Sequence, residues 1–166
     1  MAGLFIPCRA LPGQLPTRYR WRNYKSSTKT PKSLSAHGRG LPLLTDGDQS
    51  NVIICEGEPD WLSCAEVVGN EGIVVGLVTV SAGLPAWLDP LLANAKRVTV
   101  ATHNAAGGER TARQVAERLV ALVGLKTADA RYTRLVVREE DDCNDHHRRG
   151  TLAPLLRLAL RMKGHA

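Results

Sequence analysis

The sequence contains no apolar segment close to the roughly 20 residues that a transmembrane helix requires, although 43% of its 166 residues are hydrophobic. It also lacks the N-terminal pattern of a secretory signal, in which a basic segment precedes an apolar stretch and a cleavage site. We therefore expect a cytoplasmic protein that has no membrane partner. The length suits one hydrophobic core with a small extension.

The cysteines lack the spacing of a metal-binding motif or of a disulfide framework. They are Cys8, Cys55, Cys64 and Cys143. No two of them form a C-x-x-C pair, and no pair of histidines follows at the spacing of a zinc finger. We therefore expect neither structural zinc nor disulfide bonds.

Acidic residues are scarce at both ends of the chain, which has a formal net charge of +6. Residues 1–50 contain eight Lys/Arg and two Asp/Glu, and residues 146–166 contain five Lys/Arg and no acidic residue. Residues 51–145 carry the opposite sign, with nine basic and fourteen acidic side chains. Basic ends around an acidic centre suit a metal or acid/base site beside a phosphate-binding surface. A basic surface that is merely solvated remains an equally good interpretation of the composition.

Two short strands joined by a Pro-Gly turn are predicted near the N-terminus, over residues 4–9 and 14–21. Residues 23–50 are rich in Ser, Thr, Lys, Pro and Gly and show no periodicity. They are predicted to be a loop or connector. We therefore assign residues 1–50 to a basic β-hairpin followed by a connector.

Three arginines alternate along the second of these strands and just beyond its end, at positions 18, 20 and 22. Alternate residues of a strand share one face, so Arg18, Arg20 and Arg22 form a basic stripe. Such a stripe can follow a phosphate backbone, and Lys25 in the connector offers another contact. The alternative is an edge strand that its charges keep soluble.

From residue 51 the pattern alternates between strands and helices, which predicts a parallel sheet with helices on both faces. The predicted strands cover residues 52–55, 73–77, 97–101 and 131–137. The predicted helices cover residues 60–68, 84–93, 112–123 and 152–162. Residues 51–166 are therefore expected to form an α/β domain with about four parallel strands, and the N-terminal hairpin is its extension.

Polar segments follow three of these strands, two of them directly and the third after four residues. The segments are Glu56-Gly57-Glu58-Pro59-Asp60, Thr102-His103-Asn104 and Asp142-Cys143-Asn144-Asp145. Because ligands gather beyond the carboxyl ends of parallel strands, the three segments predict a site at one edge of the sheet. For Glu58 and Asp60 the sequence also allows a simpler role, since acidic residues are favoured at a helix N-terminus.

These segments resemble the three motifs of the Toprim domain found in primases of phages, plasmids and mobile elements. An apolar strand followed by Glu-Gly and an acidic helix start is similar to the first motif. Asp142, Asn144 and Asp145 match the Asp-x-Asn-Asp signature of the third. The second motif is Asp-x-Asp followed by Ala-Gly, and here Thr102 and Asn104 replace both aspartates. The N-terminal strands are also similar to those that precede the Toprim core in such primases.

The resemblance implies a Rossmann-like Toprim fold and a nucleotidyltransferase that makes RNA primers on single-stranded DNA during replication. It implies that Glu56 is the general acid or base and that Mg²⁺, or Mn²⁺, is held by Glu56, Asn104, Asp142 and Asp145. The two missing carboxylates weaken this metal site. As the middle residue of its motif, His103 is expected to point away from the site. A histidine inside it would favour Mn²⁺ or another transition metal.

The resemblance leaves two other functions open. A degenerate Toprim module would bind nucleic acid or regulate without catalysis, and the replacements at Thr102 and Asn104 favour it. A Toprim nuclease fits less well. Arg148 and Arg149 are further candidates for nucleic-acid contacts, or else part of a solvated surface. The sequence has neither a zinc module nor a phosphate-binding loop of a helicase, so a primase of this kind would need a helicase or a zinc-module protein on another chain.

Overall fold

The structure of the protein is a computed structural model. It describes residues 3–8, 12–15, 18–23, 33–35, 43–77, 83–136 and 141–161. These residues form two β-sheets, and helices cover both faces of the larger one. Lys25, one of the predicted nucleic-acid contacts, lies outside the described residues.

The smaller sheet is antiparallel and contains β1 (Gly3–Cys8), β2 (Arg18–Asn23) and β3 (Ser33–Ser35) in that order. The pairing of β1 with β2 confirms the predicted hairpin. The prediction of a connector is wrong for β3, which pairs with β2 so that Leu34 lies opposite Trp21. One leucine between two serines has no recognisable period, so only the pairing with β2 defines this strand.

The larger sheet has five strands in the order β4-β6-β5-β7-β8. They are β4 (Leu43–Leu44), β5 (Asn51–Glu56), β6 (Ile73–Leu77), β7 (Arg97–Ala101) and β8 (Tyr132–Arg134). Strands β6, β5, β7 and β8 are parallel, as predicted, and β4 adds an antiparallel edge. The prediction of a connector is wrong for β4 as well, because two buried leucines are too short a run to show a period. The domain boundary after residue 50 remains a prediction.

Six α-helices lie between and after these strands in the described part of the chain. They are α1 (Gly57–Val68), α2 (Asp89–Asn94), α3 (Ala106–Val123), α4 (Leu125–Arg131), α5 (Cys143–Arg148) and α6 (Leu152–Arg161). The sequence predicted α1, α3 and α6 and placed α2 too early, but it missed α4 and α5. At six and seven residues, these two are too short to show amphipathic periodicity. None of the helices described is both long and apolar enough to cross a membrane.

The core consists of two apolar clusters on opposite faces of the larger sheet. Val52 and Ile54 of β5 belong to the cluster that packs against α2 and α3. Ile53 and Cys55 belong to the cluster that packs against α1 and α6, which also receives Ile6 of β1. Because β5 is buried on both faces, charged side chains are confined to its ends. The carboxyl ends of β5 and β7 thus become the place for polar chemistry.

Candidate active site

Glu56 is held at the carboxyl end of β5, where the strand turns directly into α1. Gly57 makes this turn possible with a φ of 67°, a left-handed conformation that favours glycine. The Glu56 side chain makes no capping hydrogen bond to α1. Instead the buried Thr111 hydroxyl of α3 lies 3.1 Å from Glu56 Oε1 and 3.1 Å from the Gly107 carbonyl oxygen, so these two acceptors share its single proton. Sequence reasoning missed Thr111, because only the packing of α3 against the sheet brings it here.

The segment after β7 is packed tightly against the start of α3. Thr102 is fully buried, and its hydroxyl donates to the Gly108 carbonyl oxygen at 2.9 Å. A Cβ on Gly108 would overlap the carbonyl oxygen of His103. Asn104, a predicted metal ligand, is half-buried. Gly108 is therefore the residue that lets α3 approach the backbone of the second motif.

Arg134, which sequence reasoning missed, holds the same segment from β8. Its guanidinium is 15% exposed and donates to backbone carbonyl oxygens at 2.9 to 3.2 Å. The carbonyls are those of Val100, Thr102, His103 and Leu135. Its Nη2 also contacts Glu109 Oε1 at 2.8 Å. An arginine inside a predicted strand gives no sign of such a role in the sequence.

Asp142 and Asp145 begin α5 with a capping box. Asp142 Oδ1 accepts from the Asp145 backbone N–H at 2.7 Å, and Asp145 Oδ2 accepts from the Asp142 N–H at 3.4 Å. The second oxygen of Asp142, Oδ2, lies 3.8 Å from His103 Nε2. Asp142 therefore caps α5 and also reaches the second motif.

Asp60 connects the first and third motifs. It is 4% exposed, and its Oδ1 accepts from the Asn144 backbone N–H at 3.0 Å. Burial raises the pKa of Asp60 to about 7; the charges of Asp142 and Glu56 act in the same direction, whereas the Asn144 hydrogen bond and His103 oppose the rise. Asp60 is thus a buried carboxyl group that carries its charge at a free-energy cost.

Three side chains come close enough to share a metal ion. One ligand atom each from Asp60, His103 and Asp142 lies within 4.8 Å of the other two. The prediction that His103 points away is wrong, because the loop that Gly108 and Arg134 shape turns its ring towards Asp142. Two carboxylates and an imidazole suit a divalent cation. The predicted ligand roles of Glu56, Asn104 and Asp145 remain predictions.

The arginines predicted to contact nucleic acid differ in their partners and in their positions in the fold. Arg149 forms a two-pronged ion pair with the buried carboxylate of Asp141, with both N–O distances at 2.6 Å. Arg148 is exposed in the last turn of α5. The three arginines of the predicted basic stripe occupy alternate positions of β2. Their role in nucleic-acid binding remains a prediction.

Because the pKa of Asp60 is raised, we expect Asp60→Asn to increase the free energy of unfolding relative to the wild type, and to increase it more at high pH. EDTA keeps the protein free of metal in this measurement. The ordinary pKa of 3.8 rises to about 7 on folding, so the native state of the wild type loses stability as the pH rises between these values. The variant has no such loss and keeps an oxygen acceptor for Asn144. Its gain in free energy of unfolding should be about 2 kcal/mol larger at pH 8 than at pH 5.

Denaturant unfolding at both pH values measures this difference. Asp129→Asn, at an exposed position of α4, is the matched control and should give no such trend. An equal effect of Asp60→Asn at both pH values would contradict the raised pKa.

Comparison with protein-family models and with curated proteins finds no match, whereas several solved structures are similar. The zinc-binding and RNA polymerase domains of the Aquifex aeolicus primase match with a TM-score of 0.70 at 18% identity, over 95% of this chain and 39% of that chain. The DnaG catalytic core matches with a TM-score of 0.69 at 14% identity, over 95% and 53%. A DnaG primase catalytic domain bound to single-stranded DNA matches with a TM-score of 0.63 at 16% identity, over 94% and 50%.

At this level of identity the comparisons establish the fold, which is that of DNA primase catalytic domains. The mostly parallel sheet with flanking helices was predicted from the sequence, and these structures confirm it. The chain spans between 39% and 53% of the length of the three chains it matches.

Proposed function

We propose that this chain is a primase-type Toprim domain that performs metal-dependent nucleotidyl transfer and makes RNA primers on single-stranded DNA. One observation carries the proposal. Glu56 and Asp60 of the first motif and Asp142 of the third gather at one edge of the larger sheet, in a fold that is that of primase catalytic domains. Acidic side chains in this position suit phosphate chemistry that depends on a divalent cation.

In this proposal the side chains divide the chemistry between them. Asp60, His103 and Asp142 would hold the cation, which would stabilise the negative charge of the reacting phosphate when bound. Glu56 takes the proton from the attacking 3′-hydroxyl as the new phosphorus–oxygen bond forms and diphosphate leaves. Thr111 fixes the orientation of the Glu56 carboxylate through its hydrogen bond.

The basic ends of the chain would hold the template strand. The stripe of Arg18, Arg20 and Arg22 lies in the N-terminal extension, which we propose to be residues 1–50, ahead of a Toprim domain of residues 51–166. Lysine and arginine gain affinity for nucleic acid by releasing counterions from phosphates. We also propose that a helicase or a zinc-module protein acts with this chain, since one structural neighbour combines a zinc-binding domain with its RNA polymerase domain.

A degenerate nucleic-acid-binding module is the second candidate, and a specific observation favours it. Thr102 stands where the Toprim pattern has its first aspartate, and its hydroxyl is already engaged by the Gly108 carbonyl. Asp145 is likewise engaged in the capping box of α5. The site therefore has fewer free carboxylates than an intact Toprim site.

A primer-synthesis assay on single-stranded DNA with labelled ribonucleotides tests the proposal, in the presence of Mg²⁺ or Mn²⁺. Glu56→Gln should reduce synthesis at least about 100-fold, because it removes the proton acceptor. Binding of single-stranded DNA should not change. Glu66→Gln is the matched control, since Glu66 lies on the same helix and its side chain is 74% exposed.

Each other outcome contradicts primer synthesis in a distinct way. A wild-type protein that binds single-stranded DNA but makes no primer with either ion would support the degenerate module. Metal-dependent cleavage of the DNA without synthesis would support a nuclease. Equal synthesis by Glu56→Gln and Glu66→Gln would remove Glu56 from the chemistry.

A further inference from the structure

We propose that Asp60, His103 and Asp142 form a site that selects a divalent first-row transition metal over Mg²⁺, with His103 as the selecting ligand. The inference deepens the proposed function, on which it rests for the position of the ion. Mg²⁺ prefers oxygen ligands in an octahedron and retains several waters. An imidazole nitrogen is instead a ligand for manganese, iron, cobalt or zinc, and it binds the later metals of this row most strongly.

The distances suit a single ion of this type. His103 Nε2 and Asp142 Oδ2 are 3.8 Å apart, and the Asp60 ligand atom lies within 4.8 Å of both. Ligands about 2.1 Å from a tetrahedral ion lie about 3.4 Å from one another. The observed separations exceed this spacing by at most about 1.4 Å, a difference of the size that side-chain rotations can remove.

Hydrogen bonds hold the two carboxylate ligands and leave one oxygen of each available to an ion. Asp142 uses Oδ1 for the capping box, so that Oδ2 faces His103. Asp60 uses Oδ1 for the Asn144 N–H, and no residue in the described part of the chain donates to its Oδ2. Partners that fix the ligands in this way raise metal affinity.

Burial supplies a second, independent argument for a cation. Asp60 is 4% exposed and lies beside the carboxylate of Asp142. A buried carboxylate is costly unless a positive charge or sufficient hydrogen bonds compensate for it. His103 is 36% exposed, so the site is open to an ion from solvent on the side of its nitrogen ligand. An ion shared by the three residues would neutralise both carboxylates.

Cobalt(II) titration of the intact chain, followed by visible absorption with Mg²⁺ as the competitor, tests the proposal. Wild-type protein should bind Co²⁺ at least about 10-fold more tightly than Mg²⁺. His103→Ala should weaken Co²⁺ binding at least about 10-fold and change the affinity for Mg²⁺ much less. His147→Ala is the matched control, because His147 pairs with the exposed Glu66 on the surface, with an N–O distance of 3.3 Å.

A second variant tests for a change of metal preference, whereas His103→Ala tests only for a loss of metal binding. His103→Asp replaces the nitrogen ligand by a carboxylate and should shift the preference towards Mg²⁺. Circular dichroism confirms that each variant is folded. Equal affinity of the wild type for Co²⁺ and Mg²⁺, or unchanged Co²⁺ binding by His103→Ala, would overturn the proposal. A thiolate-to-cobalt charge-transfer band would also overturn it, because the ion would then lie on the buried cysteines.

The titration uses neither nucleotide nor DNA, so its result is separate from that of the primer assay. Selective Co²⁺ binding that depends on His103, without primer synthesis, would support the metal site and reject the proposed function. Primer synthesis that depends on Glu56, with no role of His103 in metal selectivity, would support the proposed function and reject the selective metal site.

Discussion

Replacing Gly108 by alanine should lower the free energy of unfolding by about 3 kcal/mol, the upper end of the usual cost of overpacking. The added Cβ would overlap the carbonyl oxygen of His103. That oxygen belongs to a backbone segment held by Arg134, so it cannot move away cheaply. Chemical denaturation followed by circular dichroism measures the loss. The same variant should also weaken metal binding, because it displaces His103.

Gly107 provides the matched control, since it is the adjacent residue in the first turn of α3. A Cβ at this position would meet nothing within 4 Å. Gly107→Ala should therefore raise the free energy of unfolding by less than about 1 kcal/mol through the higher helix propensity of alanine. Similar losses in the two variants would show that α3 does not pack closely on the second motif.

Arg134→Ala should also lower the free energy of unfolding by about 3 kcal/mol, because hydrogen bonds to a charged donor are strong and their buried acceptors would lose partners. This guanidinium donates to four backbone carbonyl oxygens, of which that of Val100 also accepts from the Leu135 backbone N–H. Arg134→Lys should recover only part of the loss, since an ammonium group lacks the planar set of donors. Equilibrium unfolding of the three proteins gives the comparison.

Arg118→Ala is the control, because it removes an arginine that makes an ion pair away from the site. Arg118 forms a two-pronged ion pair with Asp89, but its side chain is 41% exposed and contacts no part of the site. Exposed pairs contribute little, so this variant should lose less than about 1 kcal/mol. Equal losses for Arg118→Ala and Arg134→Ala would contradict the positioning role of Arg134.

The order of the main elements could be predicted because their sequences carry a period or a long apolar run. The strands β6 and β7 were predicted with the bounds that the structure shows, and α3 was predicted from its apolar stripe. The short elements β3, β4, α4 and α5 have too few residues for either signal. Their conformations depend on neighbours that are distant in the sequence.

The sequence by itself determined which segments form the site. Strands that are buried on both faces of a sheet are apolar, so polar residues are left only at their ends. This reasoning placed Glu56 and Asp142 at one edge. Only the tertiary structure decided which side chains meet there, since loop conformation depends on contacts between elements. The Arg134 hydrogen bonds and the close approach at Gly108 turn His103 into the site, and Asn144 fixes Asp60 beside it. These contacts connect residues up to 84 positions apart, a distance over which no local pattern in the sequence can predict geometry.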